Sequence, residues 1–206
     1  MLIAQRLQYT NRSEYLLYMW QVEDILRAHH CSIDELRTNY LARFDVSEDQ
    51  RAALDEWYEN LCTMMREEGV TQHGHLQINK NVIAGLAEVH ELLVDNAKYP
   101  YYRQMYYKIL PYIVELRAKH SADSKQASMG VAQELELCFE LLYGVMLLRL
   151  QKKDVSEETL AAAKDISTFL GQLSDYWKAY LLYRKSSLLG TYGSVKNEAL
   201  RLLGKA

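Results

Sequence analysis

Helix breakers are scarce in this chain, and their scarcity constrains the fold more than any other feature. Only two prolines and nine glycines occur among the 206 residues, below the ordinary usage of ~5% and ~7%. Because these two residue types most often end regular structure, few interruptions are available. The secondary-structure elements should therefore be long.

Apolar residues recur at helical spacing between these few breaks. In "SEYLLYMWQVEDILRAHH" the row Tyr15, Met19, Val22 and Leu26 advances by four, three and four positions, as a half-buried helix requires. Similar rows continue toward Arg184, and no strand-like alternation stands out. We predict an all-α fold, a helical bundle of about seven helices in which residues 1–186 form a single domain.

Several positions define how these helices begin, bend and end. Ser32 and Ser47 each precede an acidic or amide residue at capping-box spacing, and each is expected to open a helix. Pro111 lacks the amide hydrogen that a helix needs, so the fifth predicted helix should kink or split there. Gly144 is expected to be a close-packing point in the sixth. The seventh should be long, about 45 Å, with residues 187–206 following as a C-terminal tail or small docking helix.

Composition and charge exclude several classes of function. Cys31, Cys62 and Cys138 are far apart and lack CxxC spacing, which indicates reduced thiols in a cytoplasmic protein. The net charge of −3 disfavours nucleic-acid binding, which needs a basic face. The most apolar stretch is interrupted by Glu140 and Arg149 and is shorter than the ~20 residues that span a bilayer. We expect neither a nucleic-acid nor a membrane partner.

Three of the six histidines lie in "TQHGHLQINKNVIAGLAEVHELLV". A metal site on a helix needs ligands three or four positions apart, whereas His75 and His90 would lie ~22 Å apart along one helix. His73 and His75 could chelate only if another part of the chain completed the ligand set. We therefore predict no metal and no cofactor, an exposed His75 near the helix start, and a core His90 bonded to a tyrosine or a carboxylate.

The tyrosines and one glutamate are the remaining candidates for a binding site. Six of the 16 tyrosines, among them Tyr102 and Tyr106, fall in fourteen residues around the fifth predicted helix. They could line a pocket or a partner-binding surface, but an amphipathic core whose hydroxyls reach solvent is the simpler interpretation. Glu23 could act as an acid or base; structural pairing with an arginine such as Arg117 or Arg149 is favoured.

Two hypotheses about function follow. We prefer a non-enzymatic module that associates either with itself, as a homo-oligomer, or with another protein. The expected interface is the aromatic end of the seventh helix, formed by Trp177, Tyr180, Leu181 and Tyr183. The alternative is a small-molecule-binding or metal-dependent enzyme with a pocket between helices. No phosphate loop, nucleophile elbow or other catalytic string is present, so no catalytic residue is assigned and enzymatic activity is left open.

Four stretches together resemble a known family: "SEYLLYMWQVEDILRA", "GHLQINKNVI", "KILPYIVELRAK" and "LLYGVMLLRLQKKDVSEET". They are similar to an uncharacterised family of bacterial helical proteins, classified as a domain of unknown function. The likeness covers about residues 1–172. It implies an all-helical fold and a bacterial cytoplasmic setting, and it implies no activity, so no functional residues carry over.

Overall fold

Helices make up nearly all of the structure, a computed structural model that describes residues 2–120 and 130–188. No strand occurs in these two ranges, which confirms the all-α prediction. The helices are α1 (Leu2–Thr10), α2 (Arg12–Ala28), α3 (Ile33–Asn39), α4 (Glu48–Glu67), α5 (Gln77–Val94), α6 (Pro100–His120), α7 (Val131–Leu150) and α8 (Glu157–Leu188), with a 3-10 turn at Leu41–Arg43 between α3 and α4.

The described residues therefore form eight helices, one more than the seven predicted. The additional helix is α1, which Asn11 alone separates from α2. The Asn11 side chain accepts a hydrogen bond from the backbone N–H of Glu14 and so begins α2. The capping predictions for the next helices are confirmed, because Ser32 caps α3 and Ser47 forms a complete capping box at the start of α4.

Of the two outcomes predicted at Pro111, a kink or a split, the split does not occur. α6 continues through this residue from Pro100 to His120. Proline leaves the carbonyl four residues earlier without its helical donor, but Pro111 and Tyr107 both lie on the exposed face of α6. Water can bond to the carbonyl of Tyr107 there, so the helix can accommodate the missing bond.

The chain divides into two compact units, unit 1 (Met1–Val82) and unit 2 (Ile83–Ala206). α5 begins in unit 1 and ends in unit 2. Unit 1 has a core of large apolar side chains that are at most 2% exposed, among them Leu16, Trp20, Leu26, Leu36 and Met65. The corresponding core of unit 2 includes Leu86, Tyr102, Phe139, Phe169 and Leu173. That residues 1–186 act as one domain stays a prediction.

One helical glycine of unit 2 lies beside a side chain of another helix, and it is not the glycine expected. A Cβ atom on Gly144 would meet no heavy atom within 4 Å, so the prediction of close packing there is wrong. A Cβ on Gly85 of α5 would instead lie 3.4 Å from Nε1 of Trp177 on α8. The indole of Trp177 therefore lies at van der Waals distance from α5 at Gly85.

The three cysteines are free and buried. Burial raises the pKa of the Cys62 thiol to about 11 and that of Cys138 to about 12, so these thiols are poor nucleophiles at neutral pH. In the described part of the chain, no helix has the length and apolar character needed to cross a membrane.

Candidate functional site

A buried carboxylate lies at the start of α5 in unit 1. Glu23, on α2, is fully buried, and its Oε1 accepts hydrogen bonds from the backbone N–H of Leu76 (2.8 Å) and the side-chain amide of Asn79 (2.7 Å). Its Oε2 lies 2.6 Å from Nδ1 of His75 and 4.0 Å from the guanidinium of Arg27. These donors compensate a charge whose burial would otherwise be strongly unfavourable.

The first turn of α5 explains why a distant carboxylate is needed. The carbonyl of Leu76 accepts the amides of Asn79 and Lys80, which places Leu76 at the capping position, yet leucine has no side-chain acceptor. Two backbone amides at this end donate instead to glutamates. Glu23 accepts from Leu76, and Glu68 accepts from Gln77 at 2.6 Å.

Arg27 fixes the loop that leads into α5. Its guanidinium donates to the carbonyl oxygens of Val70 (3.4 Å) and Gly74, and to the carboxylate of Asp24 (2.9 Å). Gly74 has a φ of +86°, a conformation that side-chain-bearing residues rarely adopt. The loop geometry presented to His75 therefore depends on both Arg27 and Gly74.

His75 is the most exposed of the side chains that contact the Glu23 carboxylate. Its ring stacks on Trp20 with centroids 4.2 Å apart and an interplanar angle of 11°, and 25% of its side chain is exposed. The carboxylate binds Nδ1, so Nε2 is the ring atom that could bind a ligand. Among the described residues, however, no three His, Cys, Asp or Glu side chains are grouped to hold a metal ion.

Unit 2 contains a second polar group, centred on His90. This histidine is 2% exposed, and its Nδ1 lies 2.7 Å from the Tyr102 hydroxyl. Burial lowers the pKa of His90 from 6.5 to about 4, although Asp95 opposes the shift. The imidazole is therefore neutral at pH 7, and its Nδ1 can accept a hydrogen bond from the Tyr102 hydroxyl. The prediction of a core histidine bonded to a tyrosine is confirmed.

The tyrosines of α6 divide between the core and the surface. Tyr102 is fully buried against Phe169, with ring centroids 5.4 Å apart. Tyr106 donates to Glu134 at 3.1 Å, and burial together with that carboxylate raises the pKa of Tyr106 to about 12. Tyr101 and Tyr107 are 67% and 57% exposed. The amphipathic character of α6 is as predicted, but the Tyr102 hydroxyl bonds to buried His90 and does not reach solvent as expected.

A surface groove in unit 2 lies between the ends of α5 and α8. We call it the tyrosine groove; it encloses about 200 Å³, and its lining includes Val89, Leu92, Tyr99, Tyr176, Tyr180 and Tyr183. Leu92 is 52% and Tyr183 43% exposed. The rings of Tyr99 and Tyr176 meet edge to face with centroids 5.5 Å apart. Apolar and aromatic surface is thus open to a partner.

Carboxylates border this groove on one side. Glu88, Glu91 and Asp95, which we call the acidic rim, line the adjoining depression together with Leu92 and Tyr180. Tyr180 donates to Glu88 at 2.7 Å, so the rim and the groove share a side chain. An apolar floor beside a row of negative charges favours a ligand that is both apolar and basic.

Comparison with known proteins shows which family this helical chain is part of. The family described as a domain of unknown function, DUF4924, matches residues 1–181. The chain belongs to the DUF4924 family. No curated protein and no solved structure gave a significant match. The predicted resemblance to an uncharacterised family is thereby confirmed, over a slightly longer range than expected.

In this DUF4924 chain, the predicted binding residues fall into two groups. Glu23 and His75 meet in unit 1, whereas His90 contacts Tyr102 and packs on Tyr106 in unit 2. His73 is exposed. Two expectations were wrong in detail: His75 is half-buried rather than exposed, and Glu23 does not pair with Arg117 or Arg149. Its partners come from α2 and from the start of α5.

The predicted interface residues of the DUF4924 chain differ in their exposure to solvent. Trp177 is only 9% exposed and faces Gly85, so it belongs to the core and not to an exposed patch. At this position α8 packs against α5. Tyr180 and Leu181 are half-buried, and Tyr183 is exposed. A role in an interface remains a prediction for these three.

Sequence reasoning missed several residues of the polar group around Glu23 and one residue of the tyrosine groove in the DUF4924 chain. Trp20, Arg27, Glu68 and Asn79 were not assigned to the group around Glu23, and Leu92 was not assigned to a groove. One local signal was present, because Leu76 stands where a helix normally has Ser, Thr, Asp or Asn. An uncapped start implies that a cap must come from elsewhere, but it does not name the donor of that cap.

Proposed function

We propose that this protein is a non-enzymatic interaction module whose tyrosine groove binds a basic amphipathic helix of a partner protein. The observation that carries the proposal is the combination of an exposed apolar floor, which includes Leu92 and Tyr183, with the acidic rim of Glu88, Glu91 and Asp95. Helices bind such grooves by placing an apolar stripe on the floor, while flanking charges set orientation and partner choice.

The amino acids of the groove suit protein recognition. Tyrosine is enriched at interfaces because its ring offers apolar area and its hydroxyl offers a hydrogen bond. Here Tyr99 and Tyr176 hold each other edge to face, and Glu88 accepts from Tyr180. These contacts limit the side-chain freedom that binding would otherwise remove, so the surface is partly ordered in advance.

The contacts of the titratable groups also support a non-enzymatic role. Both carboxylate oxygens of Glu23 have donors within the protein, and His90 is enclosed by aromatic rings. These groups stabilise the fold where they lie. A cytoplasmic setting is part of the proposal, and the free, buried state of Cys31, Cys62 and Cys138 supports it.

A labelled peptide tests the groove directly. We expect a helical peptide of about 14 residues made of Leu and Lys to bind the full chain with a micromolar Kd, measured by fluorescence anisotropy. Leu92→Ser should weaken binding about tenfold, since about 1.4 kcal/mol of apolar contact corresponds to that factor. Val114→Ser removes a similarly exposed apolar residue of α6 and should leave the Kd unchanged.

Two results would contradict the proposal. One is binding of equal strength by a Leu and Glu peptide of the same length, because the acidic rim should repel it. The other is an equal loss of affinity in Leu92→Ser and Val114→Ser, which would place the binding surface elsewhere.

A second candidate is a small-molecule-binding or metal-dependent enzyme site at His75, favoured by the orientation of its Nδ1 by buried Glu23. Titration with cobalt(II) tests the metal version. A stoichiometric change in visible absorption that His75→Gln abolishes would support it, and substoichiometric binding would count against it.

A further inference from the structure

The aromatic rings and the charges of the tyrosine groove point to one kind of side chain on the partner. We infer that a methylated lysine of the partner helix places its ammonium group in this groove, against the tyrosine rings. The inference rests on the proposed function, because it names the side chain that occupies the floor of the same groove. Recognition would then depend on a modification of the partner.

The size and the lining of the groove suit a small cationic head group. Its volume of about 200 Å³ is below the ~300 to 1,000 Å³ of pockets that enclose drug-sized molecules. Aromatic rings attract cations through the negative charge on their faces, and several rings together are typical of sites for quaternary ammonium groups. Four tyrosines line the groove: Tyr99, Tyr176, Tyr180 and Tyr183.

Two of these rings are held at a large angle to each other. The ring planes of Tyr99 and Tyr176 meet at 72°, with centroids 5.5 Å apart. The ring of Tyr176 also meets that of fully buried Tyr102 at 89°, with centroids 5.6 Å apart. Two rings at such an angle can contact the same small cation. Because they are already held in place, binding removes little side-chain freedom.

A third ring of the groove already lies beside a positive charge. The Cζ atom of Arg184 is 5.8 Å from the centroid of the Tyr180 ring, within the ~6 Å over which a cation is attracted to a ring. The Tyr180 hydroxyl donates to Glu88 at 2.7 Å. A hydrogen bond to a carboxylate polarises the phenol, so the Tyr180 ring attracts a cation more strongly.

The acidic rim supplies negative charge beside these rings. Across residues 2–120 and 130–188, no basic side chain forms an ion pair with Glu88, Glu91 or Asp95. Glu91 and Asp95 are exposed. Their charges therefore attract a cation that enters the adjoining groove.

The apolar part of the floor favours a methylated group over a plain lysine. This part is formed by Val89, Leu92 and Leu93. A plain ammonium carries three N–H donors, which would lose their bonds to water against such a floor. A trimethylammonium group has no N–H donor and carries its charge inside an apolar shell. The floor thus suits the methylated form, and unmodified lysines of the helix suit the acidic rim.

Three small probes test this assignment on the full chain. Choline carries a trimethylammonium group, dimethylbutanol is its neutral isostere with carbon in place of nitrogen, and ethanolamine is the unmethylated analogue. We expect the Kd of choline to be about tenfold lower than that of either other probe, measured by NMR from the shifts of isotope-labelled tyrosine rings. A Kd for choline equal to that of either other probe would overturn the inference.

Substitution of the tyrosines tests where the probe binds. Tyr176→Leu and Tyr183→Leu each remove one ring but keep an apolar side chain, and each should raise the Kd of choline about three- to fivefold. Tyr107→Leu removes a 57% exposed tyrosine of α6 that does not line the groove, and it should leave the Kd unchanged. Equal effects of all three substitutions would overturn the inference.

The labelled peptide separates this inference from the proposed function. In the Leu and Lys peptide, one leucine of the apolar stripe is replaced by trimethyllysine in one version and by lysine in the other. We expect the trimethyllysine version to bind about tenfold more tightly. Equal Kd values overturn the inference and leave the proposed function intact. Selective binding of choline without binding of any peptide overturns the proposed function and supports the groove as a methylammonium site.

Discussion

At the scale of single residues, the burial of charge at Glu23 is the most consequential feature of unit 1. A fully buried carboxylate is tolerated because the main-chain amide of Leu76, the amide of Asn79 and the ring of His75 all donate to it. Removing the carboxylate leaves those donors unsatisfied, which costs more than the loss of the bonds themselves.

Substitutions at Glu23 should therefore lower the free energy of unfolding strongly. We expect a decrease of about 4 kcal/mol for Glu23→Ala and about 1 to 2 kcal/mol for Glu23→Gln, which keeps one acceptor. Asp24→Asn, at the neighbouring position with a 47% exposed side chain, should change it by less than about 1 kcal/mol. Urea unfolding followed by circular dichroism measures all three, and equal effects would contradict the structural role of Glu23.

His90 should make stability depend on pH. Its pKa is about 4 in the folded protein and 6.5 as a free side chain, so between these values the unfolded chain binds more protons. The free energy of unfolding should thus fall by about 2.5 kcal/mol from pH 7 to pH 4.5 through this residue. Urea titrations should show this decrease reduced in His90→Gln and retained in His73→Gln, at an exposed position; retention in both would contradict the prediction.

At the scale of secondary-structure elements, local capping could be predicted and long-range capping could not. Ser32 and Ser47 bond within three residues of themselves, so their spacing is visible in the sequence. Glu23 binds residues at the start of α5 that are 52 to 56 positions away in the sequence. A periodic pattern of apolar residues cannot predict such a long-range contact. His90 was predictable because its place on the apolar face of α5 is itself periodic.

Glycines inside helices offer a test at this scale. Nothing lies within 4 Å of a Cβ atom added to Gly144 in α7 or Gly171 in α8. Each Gly→Ala substitution there should raise the free energy of unfolding by about 0.5 to 1 kcal/mol, because alanine loses less backbone entropy in a helix.

Gly74→Ala is the matched control for these two variants. Its φ of +86° disfavours any side chain, so the same chemical change should lower the free energy of unfolding by about 1 kcal/mol or more. Urea denaturation compares the three proteins directly. A loss of stability in Gly144→Ala or Gly171→Ala would contradict the open surroundings of those residues.

At the scale of the whole molecule, the fold class was predictable because it depends on repeated features. Apolar residues recur at helical spacing along the chain, whereas helix ends depend on local caps such as Ser47 and on distant contacts such as that of Glu23. The number of helices was less predictable, since α1 and α2 are separated by the single residue Asn11. The division at residues 82 and 83 leaves no mark in the composition, because it falls inside the continuous helix α5.

A shared helix should make the two units unfold together. In a Trp20→Phe/Trp57→Phe background, fluorescence reports on unit 2 through Trp177 alone. Adding Glu23→Gln in unit 1 should shift the urea midpoint of Trp177 as much as it shifts the midpoint by circular dichroism, as expected for one cooperative transition. An unchanged Trp177 midpoint would show that unit 2 unfolds independently.

The start of α5 has one more consequence, for protein engineering. The backbone amides at its start donate to glutamates from other parts of the chain. The stretch from Gln77 to Val94 therefore lacks an N-terminal cap of its own. Transplanted into a foreign scaffold, this helix should fray at its amino end unless a Ser or Asp is installed in place of Leu76.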